Sequence, residues 1–136
     1  MKLNFSIAGG DFTRAGRASS EVKKVLKQLG IDAKCIKSIV IALYEAEVNV
    51  VAHAREGQIF VEIDKDKIRV KVIDRGPGIP DIELAMQEGY STASKQVREM
   101  GFGAGMGLSN MKKNTDILTI ESVVGEGTTV TMVNHF

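Results

Sequence analysis

Of the fourteen glycines in this chain, nine fall in residues 76–136, nearly all in three alternating clusters. These are Gly76-Pro77-Gly78, Gly101-Phe102-Gly103-Ala104-Gly105-Met106-Gly107 and Gly125-Glu126-Gly127. Glycine at every second position supplies no side chains to a core. It supplies backbone that can take left-handed angles or pass close to another group. The C-terminal half must therefore be built around special backbone geometry, while the N-terminal half carries ordinary periodic patterns.

The 136 residues suit a single domain spanning the chain. Eighteen Lys+Arg against seventeen Asp+Glu leave a formal charge of +1, and both halves are nearly balanced. No basic face that would hold nucleic acid or an anionic membrane by charge is visible. A 43% hydrophobic, 26% charged composition is that of a soluble globular protein with one real core. The longest apolar run, around Ile39–Tyr44, is far short of a bilayer span, and no signal-peptide stretch opens the chain. Cys35 is the single cysteine, so neither a disulfide frame nor a Cys-based metal site is expected, and a cytoplasmic compartment fits best.

Lys2–Ala8 alternates as a strand. Asp11 is placed to cap a helix running to Gly30, and Asp32 to cap a second running to about His53. Gln58–Asp64 and Lys67–Asp74 read as a strand pair with a turn at Asp64-Lys65-Asp66. Pro80 predicts a short helix over Asp81–Glu88, and residues 89–104 a loop. A helix over Gly105–Lys113 follows, then strands near Asp116–Val123 and Thr128–His135. This order predicts an α/β two-layer sandwich, its sheet mostly antiparallel and covered on one face by helices.

Three places could carry chemistry. On the second helix Glu45 and Asn49 are about 40° apart, on one face, opposite an apolar stripe of Ile36, Ile39, Val40, Leu43 and Val50. Such a pair also suits a solvated polar face. Glu47 is about 200° from Glu45 and falls within the apolar stripe, so it cannot share that site; a paired buried carboxylate or a protein-contact surface would explain it. Asp74, at a strand end, only accepts hydrogen bonds when ionised. It could take an adenine amino group and would repel a guanine carbonyl, with Gly76 and Gly78 letting the backbone pass close to a planar ring; an ordinary strand–turn–helix junction would look the same. Gly101–Gly107 leads into a helix and could offer N–H groups to an anion, or act as a hinge. His53 and His135 lack a third ligand at zinc-site spacing.

Taken in order, Glu-x-x-x-Asn on a helix, Asp-x-Gly-x-Gly after a strand, a lid segment, Gly-x-Gly-x-Gly at a helix start and Gly-x-Gly-Thr resemble the GHKL (Bergerat-fold) ATP-binding superfamily. Within it, Asp74–Ile82, Glu88–Thr92 and Gly125–Thr128 are similar to the anti-sigma-factor and switch serine kinases, RsbT-like most of all, with the RsbW and SpoIIAB kinases next. The resemblance implies ATP and Mg²⁺, with Asn49 on the Mg²⁺ and Glu45 as general base or orienter of a serine hydroxyl. It implies Asp74 on the adenine amino group, and Gly78 and Thr128 near the ring through water. Gly103, Gly105 and Gly107 would face the phosphates, with Lys95 or Arg98 reaching from the lid. These roles suit phosphoryl transfer, where positioning and charge neutralisation dominate.

The implied function is an ATP-dependent serine/threonine protein kinase of a bacterial partner-switching module. Its substrate would be a STAS-domain antagonist, and its second partner a sigma factor or PP2C-type phosphatase, with a homodimer compatible with the family. The alternative is a nucleotide-gated binding module without significant phosphotransfer. Glu47 departs from the family, which usually has a small or apolar residue there.

Overall fold

A computed structural model describes residues 1–87 and 107–136. Strand β1 (Lys2–Ala8) is followed by a 3-10 turn at Phe12–Arg14, then helices α1 (Arg17–Gln28) and α2 (Ala33–His53). The hairpin β2 (Glu56–Ile63) and β3 (Lys67–Arg75) comes next, then the short α3 (Ile82–Ala85), α4 (Gly107–Lys113), β4 (Ile117–Val123) and β5 (Gly127–His135). The strands form one sheet in the order β1-β2-β3-β5-β4, every pairing antiparallel. The two-layer expectation is borne out.

The register explains where the core sits. Because side chains alternate across a strand, one face collects cross-strand rows. Leu3, Val61, Val70, Met132 and Leu118 form one; Phe5, Ile59, Val72, Val130 and Ile120 form the next. Both rows are apolar throughout and pack under α1 and α2, whose Leu26, Ile39 and Leu43 are essentially inaccessible. Each such side chain contributes about 1.5–3 kcal/mol by leaving water. One step further along the strands the row becomes Ile7, Gly57 and Asp74, continued by Thr128 and Ser122. Apolar side chains give way to a glycine, a carboxylate and two hydroxyls, so the core stops there.

Local signals account for most boundaries. Asp32 caps α2, its carboxylate accepting from Lys34 N–H at 3.1 Å. Asp64 accepts from the N–H groups of Asp66 (2.8 Å) and Lys67 (2.9 Å), closing the β2–β3 turn. Three expectations need correction. Asp11 caps no helix: its side chain takes part in no cap bond, and the chain turns through Gly16 at φ +94° before α1 begins. Helix α3 is one turn long, with Asp81 outside it as the cap, accepting from Leu84 N–H at 3.0 Å. Pro80 thus precedes the cap instead of opening the helix.

The third correction concerns Glu47, which is buried (2% exposed) and has no cationic partner among the described residues. Its carboxylate accepts from three backbone N–H groups at the start of α1: Gly16 and Ala18 at 3.0 Å and Ser19 at 3.1 Å. The first turn of a helix has N–H groups with no partner inside the helix. Here a residue 28 to 31 positions away fills that role. Glu47 is thus a buried carboxylate paired with backbone N–H groups, as one of the two expectations had it, and not part of a contact surface.

Candidate functional site

Two clusters border the end of the core, both along the second half of α2. The first is built on the polar face of that helix. Glu45 and Asn49 lie one turn apart, half-buried, and face the start of α4. The solvated-face reading fails here. A Cβ added to Gly107 would stand 3.1 Å from Asn49 Oδ1 and 3.4 Å from Glu45 Oε2. Glycine at the first position of α4 is thus what lets that helix start against the two side chains. Asn110, one turn on, donates from Nδ2 to Glu45 Oε1 at 3.2 Å. That bond fixes one carboxylate oxygen and leaves Oε2 toward Gly107.

The second cluster surrounds Asp74, at the inward end of β3. Its Oδ1 accepts from Thr128 N–H at 3.1 Å, and Oδ2 has no hydrogen bond among the described residues. Burial pushes the carboxyl up from its usual range, and the Thr128 bond opposes that in part. Glycines let other parts of the chain close in around it. Gly76 lies so close to Ala54 and to Asp74 Oδ1 that an added Cβ would come within 3.1 and 3.2 Å of them. Gly57, opposite Asp74 on β2, is filled over by Val50. Gly78, at φ +76°, lies against the Val123 carbonyl and the backbone of Val124. What remains is a carboxylate oxygen in a half-buried setting, able to accept from a ligand's N–H and flanked by backbone.

Of the residues expected from sequence, Glu45, Asn49 and Gly107 come together, as do Asp74, Gly76, Gly78 and Thr128. Lys95, Arg98, Gly103 and Gly105 lie outside the described residues, as do the 89–104 loop and the first part of the expected Gly105–Lys113 helix. Sequence reasoning missed Asn110 and Ser122. Asn110 follows Gly107 by three residues, a helical neighbour. Ser122 continues the inward phase of Leu118 and Ile120 on β4, where a polar residue is the signal. Among the described residues no three His, Cys, Asp or Glu side chains could hold a metal ion together, and no helix is long and apolar enough to cross a membrane.

The chain as a whole has counterparts among known proteins. Residues 11–134 match the family model of the histidine kinase-like ATPase domain. The chain belongs to that family. As a histidine kinase-like ATPase domain it carries the GHKL features that its motifs resemble. It is 37% identical over 112 residues to the serine/threonine-protein kinase RsbT of Bacillus subtilis (strain 168), covering 79% of this chain and 78% of the relative. It is 36% identical over 123 residues to the anti-sigma F factor of Thermoanaerobacter sp. (strain X514), covering 87% and 82%. Its fold is similar to part of a structure of the RsbU and RsbW domains of a Mycobacterium tuberculosis protein, with a TM-score of 0.66 at 18% identity. That match covers 98% of this chain and 32% of the other. The mycobacterial sensor histidine kinase MprB superposes with a TM-score of 0.57 at 17% identity, covering 99% and 97%. The relatives place this histidine kinase-like ATPase domain among the switch kinases and anti-sigma factors.

Proposed function

We propose that this chain is an ATP-dependent serine/threonine protein kinase of a bacterial partner-switching module, its residues 1–136 acting as one ATP-binding domain. The observation that carries the reading is the Glu45 carboxylate, held on one oxygen by Asn110 and aimed with the other past Asn49 toward the first residue of α4. The identity to RsbT supports the same activity.

The roles follow from the donor set. Asp74 Oδ2 accepts from the exocyclic amino group of adenine. Its fixed acceptor character disfavours guanine, which puts a carbonyl oxygen at that place. Asn49 offers an uncharged, hard oxygen of the kind Mg²⁺ accepts as one ligand among phosphate oxygens and waters. Its side chain has no hydrogen bond among the described residues, so nothing there competes for that oxygen. ATP with its Mg²⁺ supplies the transferable phosphoryl group. Glu45 would orient the attacking serine or threonine hydroxyl and take its proton as the bond to phosphorus forms and the bond from the γ-phosphorus to the bridging oxygen breaks, with ADP leaving. Gly107, with Gly103 and Gly105, is assigned to the phosphates, and Lys95 or Arg98 to their charge. The substrate proposed is a STAS-domain antagonist, and the protein regulated a sigma factor or a PP2C-type phosphatase.

A second reading, a nucleotide-gated binding module with little phosphotransfer, is favoured by the anti-sigma F relatives. Wild type and Glu45→Ala, each with Mg²⁺ and γ-labelled ATP, are added to lysate of the source cells, and ATP affinity is measured alongside. A small protein labelled by wild type, and about 10²- to 10⁴-fold less by the variant at equal ATP affinity, supports the kinase. Intact ATP binding with no Glu45-dependent label overturns it in favour of the binding module.

A further inference from the structure

Ser122 has more to do than fill a strand end. It is half-buried on the inward side of β4, and its hydroxyl meets two different pieces of chain. Its Oγ accepts from Ile79 N–H at 2.7 Å. It lies 2.8 Å from Thr128 Oγ1 and donates toward the Gly127 carbonyl at 3.2 Å. Thr128 is the residue whose N–H holds Asp74 Oδ1. Ile79 belongs to the segment that leaves β3 just past Asp74. One hydroxyl thus ties together both sides of the Asp74 site, the β5 start and the segment after β3.

We infer that Ser122 is a positioning residue for the base of the bound nucleotide. Its hydroxyl sets the separation between Ile79 and Thr128, and so the room for a base beside Asp74 Oδ2, which has no hydrogen bond among the described residues. This rests on the ATP reading above. The fold itself does not depend on the hydroxyl. Strands β4 and β5 stay paired from Ile117–Val133 to Val123–Gly127 through their own backbone. The segment after β3 keeps two further anchors: Gly125 N–H donates to the Pro77 carbonyl at 2.8 Å, and Gly78 is wedged against Val123 and Val124. Removing the hydroxyl leaves these in place and takes a partner from Ile79 N–H, Thr128 Oγ1 and the Gly127 carbonyl. The loss therefore falls on nucleotide affinity, with little effect on folding or on the turnover of bound ATP.

The test uses two variants of nearly equal shape, Ser122→Thr and Ser122→Val, which differ in the hydroxyl alone, with Asp74→Asn as the site control. Affinity for the fluorescent analogue mant-ATP is titrated, KM for ATP and kcat of phosphotransfer are compared, and amide exchange is followed at Ile79. A slot set by the hydroxyl predicts weaker affinity and raised KM for the valine variant, with kcat unchanged and the threonine variant near wild type. Faster exchange at Ile79 in the valine variant alone accompanies it. Equal affinity of the threonine and valine variants, with Asp74→Asn impaired, overturns the role of Ser122 and leaves the ATP site standing. Failure of wild type to bind mant-ATP, or full binding by Asp74→Asn, overturns the ATP reading and the inference with it.

Discussion

Replacing Glu47 by Gln keeps the shape of the side chain and removes its charge, which isolates what the carboxylate does for α1. Its Oε2 accepts from both Gly16 and Ala18, and Oε1 accepts from Ser19. A glutamine can turn its carbonyl oxygen to the first pair, but its NH₂ then faces the Ser19 N–H, donor against donor. A hydrogen bond to a charged group is worth about 1.5–3 kcal/mol. Loss of the favourable charge at a helix N-terminus adds about 0.3–1 kcal/mol. Relief of burying a charge offsets part of this, so the expected net loss is about 2 kcal/mol. For a chain of this length that lowers Tm by very roughly 6–10 °C. Glu47→Ala should cost more, though the cleft of about 420 Å³ that Glu47 lines with Phe5, Arg17 and Val51 lets water reach some of the freed N–H groups. Urea unfolding followed by circular dichroism measures the loss, and amide exchange at Gly16, Ala18 and Ser19 localises it. A Glu47→Gln protein within about 0.5 kcal/mol of wild type, the range of ordinary surface changes, would refute the remote-cap argument.

Asp74→Asn should weaken ATP binding while leaving the ligand-free protein as stable as wild type or more so at neutral pH. Because burial raises the Asp74 carboxyl, wild-type stability falls as pH rises from the ordinary aspartate range through that raised value. The asparagine variant lacks this step, which thermal melts across pH would show, and wild-type ATP affinity should decline as pH falls through the same window. Gly107→Ala places a methyl group 3.1 Å from Asn49 Oδ1. It should leave Tm unchanged or raised, since alanine is the better helix former by up to about 1 kcal/mol, yet lower phosphotransfer about tenfold or more by displacing Asn49. Equal transfer rates in the two proteins would count against a role for the Asn49–Gly107 contact.

Elements held by local chemistry were legible from the sequence. Strand β1, the β2–β3 hairpin with its Asp64 turn, the Asp32-capped α2 and the β4–β5 pair all follow from alternation, helical spacing and turn residues. The start of α1 was not, because its cap is on another helix and nothing near Gly16 in sequence announces it. Asp11 had the right residue type for a cap, but the chain needed a turn through positive φ at Gly16 first. In the site, Glu45 and Asn49 could be paired from helical geometry. What faces them could not, since α4 arrives from far along the chain and single-helix periodicity treats a polar face as solvated. Asn110 and Ser122 escaped notice for the same reason: each is an ordinary polar residue until a partner from elsewhere reaches it.

The row Ile7–Gly57–Asp74–Thr128–Ser122 has a thermodynamic consequence. Two complete apolar rows are followed by one in which the middle strands contribute only a glycine, a carboxylate and a hydroxyl, so the sheet adds little hydrocarbon to that layer, and Val50 of α2 covers Gly57. A planar ligand slipped in there would act as a borrowed side chain, completing the interior from outside. Occupancy and folding are then the same quantity read two ways. A ligand at a hundred times its Kd would add about 2.7 kcal/mol to the stability of the fold. The melting temperature of this small protein would therefore register how much of that ligand surrounds it.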